Sequence, residues 1–194
     1  MLKKIPSGVG ILIASHSIFW LASNLLTPFL SIFYVNELYG VTLVEVGIST
    51  LIYFLAFGIF EPVAGFIADK IPGFKDELVL VFLGFLARGI LFILLAFAHT
   101  AWHLYMFQFF LGFFRALSGP SDKKLYVKFI KHRQSGVLWG LDESLVNISA
   151  AIGAGLGGYL AVTIGFRFML IIAGVITLIA GTINYPLIKK LKLN

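Results

Sequence analysis

The sequence contains no cysteine and few charged residues, and both deficits limit what the protein can be. Without cysteine there is no disulfide framework and no cysteine nucleophile. Charged residues make up 12% of the chain, about half of the roughly 25% usual in soluble domains. Hydrophobic residues make up 59%. Too little polar surface remains to cover a water-facing globule, so we expect lipid to surround most of this chain.

The sequence also lacks the patterns of a membrane-embedded enzyme. It has no HExxH motif, and no helix carries two acids and a histidine at metal-ligand spacing. We therefore predict that the protein is not an enzyme and that it has no catalytic residues, no metal site and no cofactor. Nothing in it suggests a nucleic acid partner.

Six apolar segments are long enough to cross a bilayer, which takes about 20 helical residues. Backbone groups in hydrocarbon need partners within their own segment, so helices are the expected form. The N-terminal segment starts like a signal peptide, but its apolar run is longer than the usual ~7–15 residues, and we interpret it as the first span. We predict an all-α membrane protein, one bundle over residues 1–194, with transmembrane helices at about 8–35, 42–69, 78–98, 101–121, 135–163 and 166–188.

The basic residues lie almost entirely on one side of these spans. When both termini are placed on the same side, that side receives Lys3, Lys4, Lys70, Lys75, Lys123, Lys124, Lys128, Lys131, Arg133, Lys189, Lys190 and Lys192. The other side receives Arg167, while Arg88 and Arg115 lie within spans. The positive-inside rule places the basic side and both termini in the cytoplasm, and we expect the cell (inner) membrane.

Two stretches of the chain resemble each other. Residues 65–75 are GFIADKIPGFK and residues 158–167 are GYLAVTIGFR. When Pro72 is left out, the two align, and they end on opposite sides of the membrane. Corresponding helices of opposite orientation are typical of an inverted three-plus-three repeat.

Several charged residues fall inside the predicted spans, where they are costly and usually face protein or water. Glu61 and Arg88 lie at similar depth on the second and third spans, so we predict that they pair. Arg115 and either Asp142 or Glu143 repeat this arrangement on the fourth and fifth spans. The alternative is that both pairs only neutralise each other and take no part in transport.

Polar stripes on the first, fourth and fifth spans predict the walls of a wet cavity, because residues three or four apart share a helix face. The alternative is hydrogen bonding between helices. The predicted cavity residues are Trp20, Asn24, Thr27, Gln108, Arg115, His16 and Asn147. The fifth span also contains AAIGAGLGGYL, whose small residues predict a tight helix contact, and Gly58 and Gly65 of the second span suggest the same role.

These segments together resemble the major facilitator superfamily. Gly65, Asp69, Lys70 and Gly73 are similar to that family's loop motif between its second and third helices. QFFLGFFRALSGPSDKKLY resembles its fourth helix, and IGAGLGGYL followed by GFRFMLIIAG resembles its fifth and sixth. Ala154 stands where the antiporter subset tends to have proline, so an antiporter is not supported.

The resemblance covers one six-helix half of such a transporter. It implies a secondary transporter that moves a small polar organic solute by alternating access. Two copies would present paired Asn and Gln amides beside aromatic groups, and because amides both donate and accept hydrogen bonds we lean towards sugar-like solutes, although the arginine could equally favour an organic anion. We favour a homodimer of two copies in the same orientation, with a fragment of a longer chain as the other explanation. Uniport and proton coupling are both left open. The alternative function is a non-transporting assembly or regulatory subunit that pairs with another transporter half.

The loop motif gives a further expectation. In the family, its acid resembles a latch against the start of a helix in the opposite half. Asp69 would then face the N-terminal end of the partner copy's fifth span, near residues 134–140, where the helix dipole is positive. The four motif residues, including Lys70, form the predicted gate.

Overall fold

The structure, a computed structural model, describes residues 5–70, 75–130 and 135–187, and these are almost wholly helical. In chain order the helices are α1 Ser7–Leu26, α2 Leu30–Glu37, α3 Leu43–Lys70, α4 Lys75–Leu95, α5 Ala101–Phe129, α6 Ser135–Thr163 and α7 Phe166–Thr182. Within the described residues, α1, α3, α4, α6 and α7 are long and apolar enough to cross a membrane. The long helix α5 is not among them, because His103, Gln108 and Arg115 interrupt its apolar part and Asp122, Lys123, Lys124 and Lys128 follow.

The first predicted span, 8–35, is divided into α1 and α2. Pro28 explains the division, since proline has no N–H to donate and its ring collides with the preceding helical turn. The start of α1 contacts the end of α5 through Gly8 and Phe129. Beyond the end of α2, the Tyr39 N–H donates to the His99 carbonyl at the other end of the bundle. The two helices therefore make one crossing together.

The fourth predicted span, 101–121, continues as helix to Phe129. Residues 121–134, which contain four lysines, an arginine and an aspartate, were expected to form the next loop. Instead, residues 122–129 continue α5 for two further helical turns, in which Leu125 and Tyr126 are buried. We call this end, where α1 begins and α5 ends, the basic end.

The packing pattern has the two-fold relationship of an inverted repeat. The first three crossings are α1–α2, α3 and α4, and the second three are α5, α6 and α7. The main packing partners are α1 with α6, α3 with α5, α4 with α5, α1 with α7, and α4 with α7. Exchanging the two halves turns α1–α6 into α5–α3 and α4–α5 into α7–α1, and leaves α4–α7 unchanged.

Glycines permit the closest helix contacts. A Cβ at Gly153 or Gly157 of α6 would collide with the carbonyl oxygen of Leu21 or Leu25 of α1. The predicted tight contact of the fifth span is thus confirmed. In the α3–α5 contact the glycine is on the other helix, because Gly112 of α5 lies against the Tyr53 carbonyl of α3.

The second-span glycines behave differently from the prediction. Nothing lies within 4 Å of a Cβ built at Gly58, so that position makes no close helix contact in the described structure. Gly65 faces Pro120 of α5 at 3.8 Å, and its aligned counterpart Gly158 faces the ring of Phe29 at 3.2 Å, each measured from the built Cβ. In the repeat, α3 corresponds to α6 and α5 to α1–α2. The aligned glycines therefore each face the equivalent neighbouring crossing.

Each end of the bundle is held by a cation that bridges two crossings. At the basic end, Lys124 Nζ lies 2.7 Å from Glu77 Oε1 and donates to the Ala68 carbonyl at 2.6 Å. At the opposite end, Arg167 Nε donates to Glu37 Oε2 at 3.3 Å and its Nη1 donates to the Ala96 carbonyl at 2.5 Å. The end of α5 and the start of α4 correspond to the end of α2 and the start of α7. The two ion pairs are thus equivalent, with their charges exchanged.

Candidate solute cavity

A cavity of about 510 Å³ lies among α1, α3, α4, α5 and α6 towards the basic end. This volume suits a small organic molecule, since ligand sites commonly span ~300–1,000 Å³. Its acidic and basic lining residues are His16, Glu61, Arg88, Arg115, Asp122, Lys123, Asp142 and Glu143. Aromatic side chains such as Phe19, Phe57 and Trp139 complete the wall. We call this the first cavity.

A second cavity of about 320 Å³ lies farther towards the opposite end. The two cavities share four lining residues: Phe19, Trp20, Arg88 and Arg115. The rest of the second cavity is lined by apolar residues and by the neutral polar residues Ser23, Thr27, Tyr34, Thr50, Tyr53 and Gln108. In the part of the chain that the structure describes, no acidic residue lines the second cavity. The shared aromatic and guanidinium groups therefore form the boundary between an acid-containing cavity and an acid-free one.

His16 joins three helices at the basic end of the first cavity. Its Nε2 lies 2.9 Å from Asp122 Oδ2 of α5, and its Nδ1 lies 3.1 Å from Asp142 Oδ1 of α6. Only the imidazolium carries an N–H on both nitrogens, and a bare nitrogen lone pair would be repelled by the facing carboxylate. The geometry therefore suits a charged His16 between two carboxylates. Within residues 5–70, 75–130 and 135–187, no group of side chains forms a metal site.

The predicted pair of Glu61 and Arg88 is not formed. Glu61 Oε1 lies 3.1 Å from Lys123 Nζ, because α3 packs along α5 and not along α4. Arg88 Nε donates to the Gly84 carbonyl of its own helix at 3.0 Å, and its guanidinium lies over the ring of Phe19 at 4.3 Å. Equal depth in the membrane thus did not imply contact.

Arg115 likewise pairs with neither Asp142 nor Glu143. Its Nη1 donates to the Tyr53 hydroxyl of α3 at 2.6 Å, and the guanidinium lies 4.4 Å from the centre of the Phe57 ring. Asp142 is buried and bound to His16, while Glu143 is exposed and lines the first cavity. The expected pair does not form because α6 packs along α1, whereas α5 packs along α3.

The predicted cavity residues divide into two groups. Five of them line one or both cavities: His16, Trp20, Thr27, Gln108 and Arg115. Asn24 and Asn147 line neither, and each amide donates to the carbonyl four residues earlier in its own helix, at Trp20 and Glu143. Two of the three amides behind the sugar-like preference, those of Asn24 and Asn147, therefore bond to their own helices and line no cavity. Arg115, in contrast, lines both cavities.

The predicted gate residues lie at the basic end of α3. Asp69 is 82% exposed, and Lys124 Nζ lies 4.0 Å from its Oδ1. Lys70 lies over the ring of Phe66 at 4.2 Å. Gly73 lies outside the described residues. The gating role of these residues stays a prediction.

Three important cavity residues were not identified from the sequence. Asp122 was assigned to a loop, although it follows Arg115 by seven residues and Ser118 by four. If α5 continues, this spacing places all three on one helix face, which was a usable signal. Tyr53 and Tyr34 lie within apolar runs, where a tyrosine is no different from other aromatics in its pattern. Their hydroxyls contact Arg115 and the Gln108 amide, the latter at 3.1 Å.

Comparison with known proteins agrees with this architecture. A solved structure of the POT family transporter PepTSo superposes with a TM-score of 0.72 at 14% identity, covering 95% of this chain and 38% of that one. The membrane sensor protein UhpC of Escherichia coli is 21% identical over 137 residues, which are 71% of this chain and 30% of that protein. Its namesake in Salmonella typhimurium is 20% identical over 139 residues, 72% of this chain and 30% of that one. The chain thus spans about 30% of the length of these curated relatives.

The bundle and its central polar cavity define a helical membrane protein with the fold of one half of a transporter. The sequence profile of the Major Facilitator Superfamily matches residues 12–192. The chain belongs to this family. The predicted fold class is confirmed, and the family points to membrane transport and away from catalysis.

Proposed function

We propose that this chain forms one half of a secondary transporter that moves a small polar organic solute by alternating access. The observation that carries the proposal is the first cavity, a space of about 510 Å³ with charged and aromatic walls inside a bundle of apolar helices. Ionisable side chains are expensive within a membrane and usually mark a substrate or ion pathway. Eight of them around one cavity support a pathway.

A second six-helix unit completes the path in this proposal. The exposed side chains of α3 and α6 are large and apolar, among them Phe54, Ile59, Phe66, Ile148, Ile152 and Leu156. These two helices are the least buried of the candidate spans, and both border the first cavity. We propose a second copy of this chain, in the same orientation, as the unit that covers them. Two-fold cyclic symmetry is the commonest closed assembly and uses the same surface on both copies.

The orientation follows from charge. The basic end of the bundle contains Lys123, Lys124 and Lys128, whereas Arg167 lies at the other end. We place the basic end in the cytoplasm and the bundle in the cell membrane, in accordance with the positive-inside rule. Two copies in opposite orientation would put this lysine-rich end on both sides of the membrane.

The test is the mass of the purified protein in detergent together with uptake into proteoliposomes. We expect a dimer and solute uptake that saturates, measured over a panel of sugars, amino acids and organic acids, with and without a pH gradient to separate uniport from proton coupling. Cross-linking of single-cysteine variants on α3 and α6 reports which faces meet. A strict monomer that still transports, or two copies inserted in opposite orientations, would contradict the proposal, as would a chain that pairs only with a different half.

A second function is favoured by the curated relatives. Both carry the name membrane sensor protein. In this alternative, the chain binds a solute in the cavity and signals or assembles with another membrane protein without moving the solute. Ligand-dependent stabilisation of the purified chain without any uptake would favour the sensor, whereas uptake would favour the transporter.

A further inference from the structure

Arg88 and Arg115 lie at the boundary of the two cavities and line both of them. They come from neighbouring helices, α4 and α5, which pack together. Each cavity therefore has two guanidinium groups in its wall.

Neither guanidinium forms a salt bridge with an acid of the described residues, and the acid that acts on Arg88 electrostatically, Asp122, is bound to His16. In the described part of the chain, every acid–base contact within 4.0 Å uses a cation other than these two arginines. Arg88 donates to one backbone carbonyl and Arg115 to one tyrosine hydroxyl. A guanidinium has five N–H donors in a planar fork. Most of the donors of both groups are therefore left for another acceptor.

The acids of the first cavity are already occupied, with one exception. Asp122 and Asp142 lie on either side of His16, and Glu61 lies against Lys123. Glu143 is exposed on α6, and no cation lies within 4.0 Å of it among the described residues. No acid among the described residues lines the second cavity. The positive charge at the boundary is therefore balanced least on the side of the second cavity.

The surrounding groups favour an anion with an organic body. The second cavity offers neutral hydrogen-bonding groups, namely the hydroxyls of Tyr34 and Thr50 and the amide of Gln108, beside apolar walls and Trp20. Arginine binds planar or tetrahedral oxyanions through two parallel N–H···O bonds, and such charge-assisted bonds are stronger than neutral ones. Burying a charge is unfavourable unless it is paired, so an anion beside Arg88 and Arg115 would supply the missing partner.

We propose that Arg88 and Arg115 bind the oxyanion group of a small organic acid, a carboxylate or a phosphate, on the side of the second cavity. This inference rests on the proposed function, because it names the chemical class of the solute. It replaces the sugar-like preference derived from the sequence, since the amides behind that preference are turned away.

The test compares a neutral sugar with a carboxylate and a phosphate derived from it, and with a bare oxyanion. Thermal unfolding of the purified chain in detergent is measured with glucose, gluconate, glucose 6-phosphate and inorganic phosphate. We expect stabilisation by gluconate or glucose 6-phosphate at concentrations at which glucose gives none. The carboxylate and phosphate probes distinguish the two oxyanions, and inorganic phosphate shows whether the organic body is needed. Equal stabilisation by glucose and both anionic probes, or by none of the four, would overturn the inference.

Variants then locate the site. We expect Arg88→Gln and Arg115→Gln each to weaken binding of the stabilising anion at least tenfold, and Arg115→Lys to recover part of the loss. Arg167→Gln is the matched control, because Arg167 is a paired guanidinium at the opposite end of the bundle. Affinity unchanged in both Gln variants would overturn the inference. Anion binding without uptake would leave the site in place and contradict only the transport proposal.

Discussion

Gly89 of α4 and Gly174 of α7 face each other where the two halves of the repeat meet. A Cβ built on Gly89 would lie 2.9 Å from the Gly174 carbonyl oxygen, and a Cβ built on Gly174 would lie 2.7 Å from the Gly89 carbonyl oxygen. This reciprocal contact is what a two-fold axis between α4 and α7 requires. The two helices approach so closely only because neither residue has a side chain.

We predict that Gly174→Ala destabilises the bundle. The added methyl has no space, since Ile93 Cγ1 and the Gly89 carbonyl occupy it, and overpacking of this kind costs about 1–3 kcal/mol. Gly47→Ala is the control, because nothing lies within 4 Å of a Cβ at that position and alanine is the better helix former. Thermal unfolding in detergent should show a lower midpoint for Gly174→Ala and an equal or higher one for Gly47→Ala. Equal midpoints for wild type and Gly174→Ala would show that the helices can separate without loss.

The apolar runs predicted where the crossings lie, but not which crossings touch. A long hydrophobic stretch identifies a span because bilayer thickness sets its length. The partner of each span depends on the two-fold packing, which sets α3 beside α5 and α6 beside α1. The pairs expected between consecutive spans, Glu61 with Arg88 and Arg115 with either Asp142 or Glu143, were therefore wrong. The depth of a residue along its helix can be counted from the sequence. Which helix its side chain faces can be known only when the neighbouring helices are known.

Lys123 and Lys124 are adjacent, yet we expect very different contributions to stability. Lys124 is 28% exposed and binds Glu77, which is 1% exposed, as well as the Ala68 carbonyl. Removal of the cation would leave a buried carboxylate without its partner, which costs roughly 3–5 kcal/mol in other proteins. Lys123 is 70% exposed against Glu61, and such surface pairs contribute about 0–1 kcal/mol.

The measurement is thermal unfolding of Lys124→Met and Lys123→Met under the same conditions. Lys124→Met should lower the midpoint strongly and Lys123→Met little. The double variant Lys124→Met with Glu77→Leu should recover much of the loss, because it removes the unpaired charge. Similar midpoints for the two single variants would mean that Glu77 is not buried in the way described.

His16 and Asp142 should be energetically coupled across α1 and α6. Their contact at 3.1 Å joins two helices at the buried edge of the first cavity. Residues in one charge network show coupling energies of about 0.5–3 kcal/mol, whereas independent sites add within ~0.3–0.5 kcal/mol. A double-mutant cycle of His16→Gln and Asp142→Asn, read by unfolding in detergent, should give a value in the first range.

Glu143 provides the matched control for this cycle, since it is the adjacent acid on the same helix and is exposed. The cycle of His16→Gln with Glu143→Gln should be additive. If both cycles gave the same coupling, the effect would reflect the general charge of the cavity and not the contact with Asp142.

The local chemistry of the cavity was only partly predictable for a second reason. Polar residues at helical spacing on the first span indicated His16, Trp20 and Thr27, and all three line cavities. Asn24 belongs to the same stripe, but its amide donates a hydrogen bond to the Trp20 carbonyl of its own helix. A polar side chain in a helix can bond to the preceding turn, and the sequence does not distinguish this from a group left for a solute.

Asp69 should control access to the cavity from the basic end without contributing to the stability of the chain. It is 82% exposed and lies 4.0 Å from Lys124, so its removal disturbs little within one copy, whereas loss of a contact with the partner copy would open the gate. Because the sequence has no cysteine, Val146→Cys places a single thiol in the first cavity. In vesicles with the basic end outward, Asp69→Ala should raise the rate of labelling by a membrane-impermeant maleimide severalfold while the unfolding midpoint stays the same.

Asp76→Ala, which removes another exposed acid at the same end, should leave the rate unchanged. Labelling unaltered by both Asp69→Ala and Asp69→Asn would remove the latch from the proposal, because a contact that holds the gate closed cannot be lost without a change in access.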